Sequence, residues 1–282
     1  MTTAPATAPL TSVTEAAENI LADGFARVVL SEEQADILAQ ALARCNEFFA
    51  EPIETKTLHS SSDFNYGYRP VGREYAVSPD RPDMNEVFTL WSDRLDLIPD
   101  APGVAAVTDA LLAWRGVLSP LVAGIFAEIA ARFGKTAPPF ANASYLQINN
   151  YVVTPPSREM LQDRHEDGHM VTCLFGTAPG LEIFLTESAD PSSATPVLTA
   201  RNEVLIMPGS ALTLLTGGAV PPLYHQVRNL GLSDRQSIMY FVNPEMSVPL
   251  YAWQGDEAQT TDLREPIKAA PGMFGLPHVP DL

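Results

Sequence analysis

The segment Arg164-His165-Glu166-Asp167-Gly168-His169 places several potential metal ligands within one short stretch. In an extended chain, side chains two residues apart point the same way, so His165 and Asp167 share a face. An imidazole beside a carboxylate needs one further ligand from a neighbouring strand. His225, in the β-prone run Leu223-Tyr224-His225-Gln226-Val227, can supply it. Two histidines and one carboxylate on one face of an octahedron leave three positions for substrate or co-substrate and O₂, the set that suits Fe(II) oxygen chemistry. His165, Asp167 and His225 are therefore the candidate metal-binding and catalytic residues.

The same stretch also matches H-E-x-x-H, the zinc peptidase signature. That chemistry needs both histidines on one helical face, with the glutamate as general base. Gly168 inside the required turn costs ~1 kcal/mol relative to alanine. The following run, MVTCLF, has no helical stripe, so the extended reading is preferred. In it His169 shares the face of His165 and Asp167 without being needed as a ligand; it either lines the site or is exposed. A further alternative is a cupin-like module that holds metal without turnover.

Ten residues after His225, Arg235 and Ser237 lead into the run SIMYFV and share a face with Met239 and Phe241. A guanidinium pairs bidentately with a carboxylate, and a neighbouring hydroxyl adds a third hydrogen bond. The pair reads as an anchor for an acid at the end of an apolar-walled pocket. Residues 64–75 (FNYGYRPVGREY) offer Tyr66, Tyr68, Arg69 and Arg73 as aromatic walls and cationic anchors at the mouth, where a substrate carboxylate would bind. Tyr145 and Gln147 share a strand face directed toward substrate.

Positioning these groups requires a scaffold in two textures. Residues 1–11 read as a loose arm. Ser12 to Glu15 forms a capping box that opens a short helix, and residues 24–30 (GFARVVL) form a strand. Ser31 caps a helix with Ala35, Leu38, Ala39, Leu42, Cys45 and Phe49 at helical spacing, ended by Pro52. Residues 59–102 lack periodicity over a length that suits a lid or binding loop. A long helix follows through Val107, Leu111, Trp114 and Leu118, with a kink or restart expected at Ser119-Pro120. From about residue 143, short β-prone runs broken by Pro, Gly, Asn and Asp predict an antiparallel barrel or sandwich. The expected organisation is a helical region over 12–140 with the lid, a β core over 141–250 and a Pro-rich tail over 251–282. All three belong to one structural unit of mainly β structure with flanking helices (α+β).

The 282 residues, 46% hydrophobic, carry a net charge of −17. That charge excludes nucleic acid, whose phosphates need clustered lysine and arginine. No apolar run is read as spanning a bilayer. Two cysteines, Cys45 and Cys173, make no disulfide framework and suit a reducing cytoplasm. The expected partner is a small-molecule substrate, with no obligatory protein partner evident.

The order His165-x-Asp167, His225, Arg235-x-Ser237, with 58 residues from Asp167 to His225, resembles the isopenicillin N synthase-like 2-oxoglutarate/Fe(II)-dependent dioxygenases. Asn149-Asn150-Tyr151 resembles that family's Asn-x-Tyr strand, and Leu214 to Gly218 also looks familial. Asp23-Gly24-Phe25, Cys45 to Phe49, Glu54, Lys56 and Tyr66-Gly67-Tyr68 extend the resemblance over most of residues 15–245. The resemblance implies a distorted double-stranded β-helix (jelly-roll, cupin-like) core, with Fe(II), and with 2-oxoglutarate and O₂ as co-substrates. It places the distal carboxylate of 2-oxoglutarate on Arg235 and Ser237, helped by Asn149 and Tyr151. It also implies hydroxylation, desaturation or cyclisation, and the arginines of residues 64–75 suit a carboxylate-bearing amino acid, peptide or secondary-metabolite intermediate as the substrate. Isopenicillin N synthase itself spends the Arg-x-Ser pair on its substrate's own carboxylate, so an Fe(II) oxidase without 2-oxoglutarate is the alternative. The presence of Asp167 argues against halogenation, because related halogenases lack that carboxylate.

Overall fold

The computed structural model describes residues 12–91, 94–140, 144–255 and 261–269; the expected N-terminal arm and residues 256–260 and 270–282 of the expected Pro-rich tail lie outside them, whereas Trp253, Leu263 and Ile267 of that tail belong to the helical core. Eleven strands form two antiparallel sheets. The strands are β1 (Ala26–Val29), β2 (Gly67–Arg69), β3 (Asn85–Trp91), β4 (Tyr145–Tyr151), β5 (Met160–Glu166) and β6 (Val171–Gly176). They continue with β7 (Leu181–Phe184), β8 (Thr195–Val197), β9 (Glu203–Pro208), β10 (Tyr224–Arg228) and β11 (Gln236–Val242). The larger sheet runs β1-β9-β6-β11-β4-β3-β2 and the smaller β5-β10-β7-β8. This is the expected jelly-roll arrangement of mainly β structure with flanking helices.

Period-two alternation divides the larger sheet into two working faces. Leu146 and Ile148 of β4, Cys173 and Phe175 of β6, and Ile238 and Tyr240 of β11 are buried on the helical side. Tyr145, Leu174, Met239 and Phe241 point the other way, into a second core between the sheets with Leu181, Ile183 and Leu223. Each such aliphatic or aromatic side chain contributes roughly 1.5–3 kcal/mol on burial.

Helices α1 (Val13–Asp23), α2 (Glu32–Ala50) and α4 (Val104–Arg132) back the larger sheet, while α3 (Ile53–Thr57) is a single short turn between them. Ser12 accepts from Glu15 N, and at Ser31 both arms of the capping box form with Gln34. The buried stripe of α2 is Ala35, Leu38, Ala41, Cys45, Phe48 and Phe49, so Ala39 and Leu42 fall just outside it.

Two sequence expectations give way in this region. First, α4 continues without a restart at Ser119-Pro120. Gly116 and Pro120 both lie on its exposed side, so the carbonyl that Pro120 leaves unpaired faces solvent. Ser119 meets the Tyr240 hydroxyl at 3.2 Å instead of capping. By length and mean hydropathy α4 is also long and apolar enough to cross a membrane, which the sequence reading did not find. Here its Val107, Leu111, Trp114, Leu118, Ile125 and Ile129 are built into the helical core. Second, residues 59–102 are not one irregular lid, because β2 and β3 extend the sheet beyond β4. With β1 paired to β9, the nominally helical region contributes three strands to the main sheet.

Candidate metal centre and its cavity

His165 on β5 and His225 on β10 are directly opposed in the antiparallel register, which brings their rings to 4.3 Å between centroids. Nδ1–H of His165 donates to the Asp163 carbonyl at 2.8 Å, and that of His225 to the Leu223 carbonyl at 3.4 Å. A carbonyl only accepts, so the proton sits on Nδ1 and each Nε2 presents its lone pair. Asp167, just past β5, puts Oδ1 3.7 Å from one Nε2 and 3.9 Å from the other. The three donor groups lie within 4.8 Å of one another, a spacing that can hold one ion.

The backbone and its neighbours hold Asp167 in place. The Thr172 hydroxyl donates to its Oδ2 at 2.5 Å, and its carbonyl accepts from Ser210 N at 2.9 Å. Gly209 precedes the short helix α5 (Ser210–Leu215); a Cβ at that position would overlap the carbonyl oxygens of Asp167 and His169. Burial alone would raise the Asp167 carboxyl, yet His225, His165, His169 and Thr172 together hold it below the usual range. Burial pushes His225 down to about 4, with the neighbouring His165 adding to the effect, so the ring is neutral and free to act as a ligand.

These residues sit in a cavity between the two sheets that is open to solvent at one side. Tyr145, Gln147, Asn149 and Tyr151 of β4 and Ser237, Met239 and Phe241 of β11 line it, as the alternation requires. Gln147 donates to Asn149 Oδ1 at 2.9 Å, and the Tyr151 hydroxyl donates to Gln162 at 3.1 Å. Arg235 stands behind Ser237. It is 1% exposed, with Cζ 4.4 Å from the Tyr151 ring centroid and Nη1 donating to Ser237 Oγ at 3.1 Å. Its Nη2 is buried without a hydrogen-bond partner among the described residues. An unpaired guanidinium N–H beside a serine hydroxyl is what an incoming carboxylate satisfies.

His169 lines the cavity, settling the open choice between lining and exposure. Its ring stacks on Phe241 at 4.4 Å and its Nε2 meets the Tyr145 hydroxyl at 3.1 Å, and burial lowers it to about 4. The H-E-x-x-H reading fails on geometry. The stretch is the end of β5 and a turn, and Glu166 accepts from Ser210 rather than facing the two histidines as a base.

The substrate residues expected from the 64–75 loop are corrected. Tyr68 is buried among the helices, donating to Glu86 at 2.6 Å. Arg69 is consumed in pinning its own loop, through the Phe64 and Asn65 carbonyls and an ion pair with Glu74. Arg73 lies over the Phe64 ring, and Tyr66 packs against both cores. None of the four lines the cavity; Glu74, Tyr75, Ala76 and Asp83 do. Sequence reasoning missed these because a Pro-rich irregular stretch has no period from which to read a face. Thr172, five residues past Asp167 in a clear strand, was within reach of it.

The chain matches two family profiles. Residues 7–105 match the non-haem dioxygenase in morphine synthesis N-terminal region, and residues 143–244 match the 2OG-Fe(II) oxygenase superfamily. Hyoscyamine 6-dioxygenase of Hyoscyamus niger is 25% identical over 231 residues, covering 75% of this chain and 66% of that protein. The chain thus spans just under two thirds of that relative's length. Among solved structures, full-length Neurospora crassa T7H in complex with alpha-KG superposes with a TM-score of 0.74 at 17% identity, covering 92% and 90% of the two chains. A 2OG-Fe(II) oxygenase family protein from Caulobacter crescentus gives 0.75 at 19%, covering 95% and 98%. At such identities these two likenesses establish the fold alone.

Proposed function

The chain belongs to the 2OG-Fe(II) oxygenase superfamily, of the isopenicillin N synthase type, and from that membership we propose that it oxidises a C–H bond of a small molecule in the cavity between its sheets. The observation that carries this is the convergence of two Nε2 lone pairs and the Asp167 carboxylate within 4.8 Å. His165, Asp167 and His225 would hold Fe(II). Arg235 Nη2 and Ser237 Oγ would take the distal carboxylate of 2-oxoglutarate, with Asn149 and Tyr151 along its length. When bound, the iron and co-substrate supply the oxidising power, coupling O₂ reduction and loss of CO₂ from 2-oxoglutarate to the oxidation of substrate.

The protein's own part is placement and exclusion. Thr172 fixes the carboxylate orientation and the Ser210 amide holds the Asp167 backbone, so the ion meets a preformed set. The Tyr151 face under the Arg235 guanidinium keeps that charge aimed and dry. Leu174, Leu181, Val227, Met239 and Phe241 give the cavity apolar walls that confine reactive species to substrate. Hydroxylation, desaturation and cyclisation are all compatible with this arrangement, and a secondary-metabolite substrate is part of the proposal. A substrate carboxylate, expected from Arg69 and Arg73, loses its support because neither reaches the cavity.

The test is anaerobic addition of Fe(II) and then 2-oxoglutarate while the visible spectrum is recorded. A weak charge-transfer band requiring both additions, absent in Asp167→Ala and shifted to higher 2-oxoglutarate in Arg235→Met, is the expected result. Iron binding with no response to 2-oxoglutarate would refute the assignment of Arg235 and Ser237.

A further inference from the structure

The charged groups around the cavity are unevenly distributed. Glu74, Asp83, Glu166 and Asp167 line it, while among the described lining residues there is no lysine or arginine. Asp167 faces the metal position, and the Arg235 guanidinium is reserved for a carboxylate at the opposite end. Of the remaining acids, Glu74 shares its charge with Arg69. Asp83, 1% exposed, accepts only from neutral groups, Ala76 N at 3.2 Å and Gln162 Nε2 at 3.1 Å. Glu166 likewise accepts from the Ser210 hydroxyl at 2.7 Å. Carboxylates held only by neutral donors at a low-dielectric wall keep their field directed into the space they border.

Two further observations point to an occupant. His169 Nδ1, in a residue that also lines the cavity, is buried with no hydrogen-bond partner among the described residues. Tyr75 lines the cavity while half exposed, an aromatic face placed where a ligand enters. Acidic oxygens, an unpaired polar atom and an aromatic face together form the recognition set for an organic cation. A substrate anion would meet Asp83 and Glu166, whose hydrogen-bond donors carry no countercharge.

We propose that the substrate oxidised in this cavity carries a cationic nitrogen, a protonated amine or an amidinium, recognised by Asp83, Glu74 and the Tyr75 ring. This rests on the oxygenase reading of the same site. It reverses the expectation of a substrate recognised through its carboxylate.

Three ring-matched probes test it: benzylammonium, benzyl alcohol and phenylacetate. Each is titrated into the anaerobic protein loaded with Fe(II) and 2-oxoglutarate, and both the perturbation of the visible band and the melting temperature are read. Benzylammonium is expected to bind at least about tenfold more tightly than the other two, with the preference shrinking as salt rises. Asp83→Asn, nearly isosteric, is expected to erase most of that preference. Should that variant fail to fold, Glu74→Gln and the salt dependence of the wild type carry the same comparison. Equal or tighter binding of phenylacetate or benzyl alcohol, or an unchanged preference in the variants, overturns the proposal. Absence of the band itself refutes the 2-oxoglutarate part of the proposed function instead, and the melting shifts still report the charge preference.

Discussion

At the scale of single residues, the geometry of the candidate metal centre is set by one hydroxyl that is not among its donors. Thr172 donates to Asp167 Oδ2, leaving Oδ1 turned toward the two histidine nitrogens. Thr172→Val keeps the shape and removes the donor. Fe(II) affinity is expected to fall about tenfold, with a stability loss of only ~1 kcal/mol. Anaerobic Fe(II) titration beside urea denaturation separates the two effects, and an unchanged affinity would make Thr172 merely structural. The cysteines make the opposite case. Burial pushes both Cys45 and Cys173 up to about 12, so in the folded protein they are neutral thiols well above neutral pH. Since the thiolate is the nucleophile, iodoacetamide at about pH 8 is expected to modify neither until urea is added, and then both, as read by intact mass. The triad was legible in the sequence because its residues are rare, chemically distinctive and set in strands with a fixed period. Asp83 was not, because a carboxylate in an aperiodic, Pro-rich stretch looks like any solvated acid until the fold buries it.

At the scale of elements, the strands that carry the residues proposed to hold the co-substrate are locked from behind. Asn150 and Gln236 occupy the face opposite the cavity and bond to each other at 2.9 Å, and Asn150 also donates to Glu86 on β3. Glu86 in turn accepts from Lys56 of α3 at 2.6 Å and from Tyr68 of β2. One buried carboxylate thereby fixes β2, β3, β4 and β11 side by side, next to Asn149, Arg235 and Ser237. Lys56→Met leaves Glu86 buried without its cation and is expected to cost roughly 3–5 kcal/mol. The double variant Lys56→Met/Glu86→Gln, with no unpaired charge, is expected to recover part of that loss in urea denaturation. A double variant no more stable than the single would exclude charge burial as the cause. The central strands were legible because alternation gives both their existence and their faces. The extension of the sheet by β2 and β3 was not: β2 is only the three residues GYR, and the β-prone run NEVFTLW of β3 stands alone inside an otherwise aperiodic stretch. Nor was the unbroken α4 legible, because the local rule for proline was overridden by an exposed position and a long packed face.

At the scale of the molecule, the division into a helical region and a β core does not correspond to separable units. Removing residues 12–140 would strip β1 from β9 and β3 from β4, turning two paired strands into open edges. It would also uncover Leu146, Ile148, Cys173, Phe175, Ile206, Ile238 and Tyr240, which now pack against α1, α2 and α4. Exposed edges and a bare apolar face lead to aggregation rather than folding. The fragment 141–250 is therefore expected to be insoluble or to bind hydrophobic dyes, whereas the full chain unfolds as one cooperative unit. Trp114 in α4 and Trp253 beside Phe133 lie in the helical core, while Trp91 stacks on Tyr145 in the core between the sheets, so fluorescence is weighted toward the helical layer, and far-UV circular dichroism reports the whole backbone. The two urea transitions are expected to coincide, and Fe(II) with 2-oxoglutarate should move both together to higher urea, since the ligands bind only the folded form. A fluorescence transition well below the backbone one would mean that the helices leave the sheet first, and the site would then depend on them less than the shared strands imply.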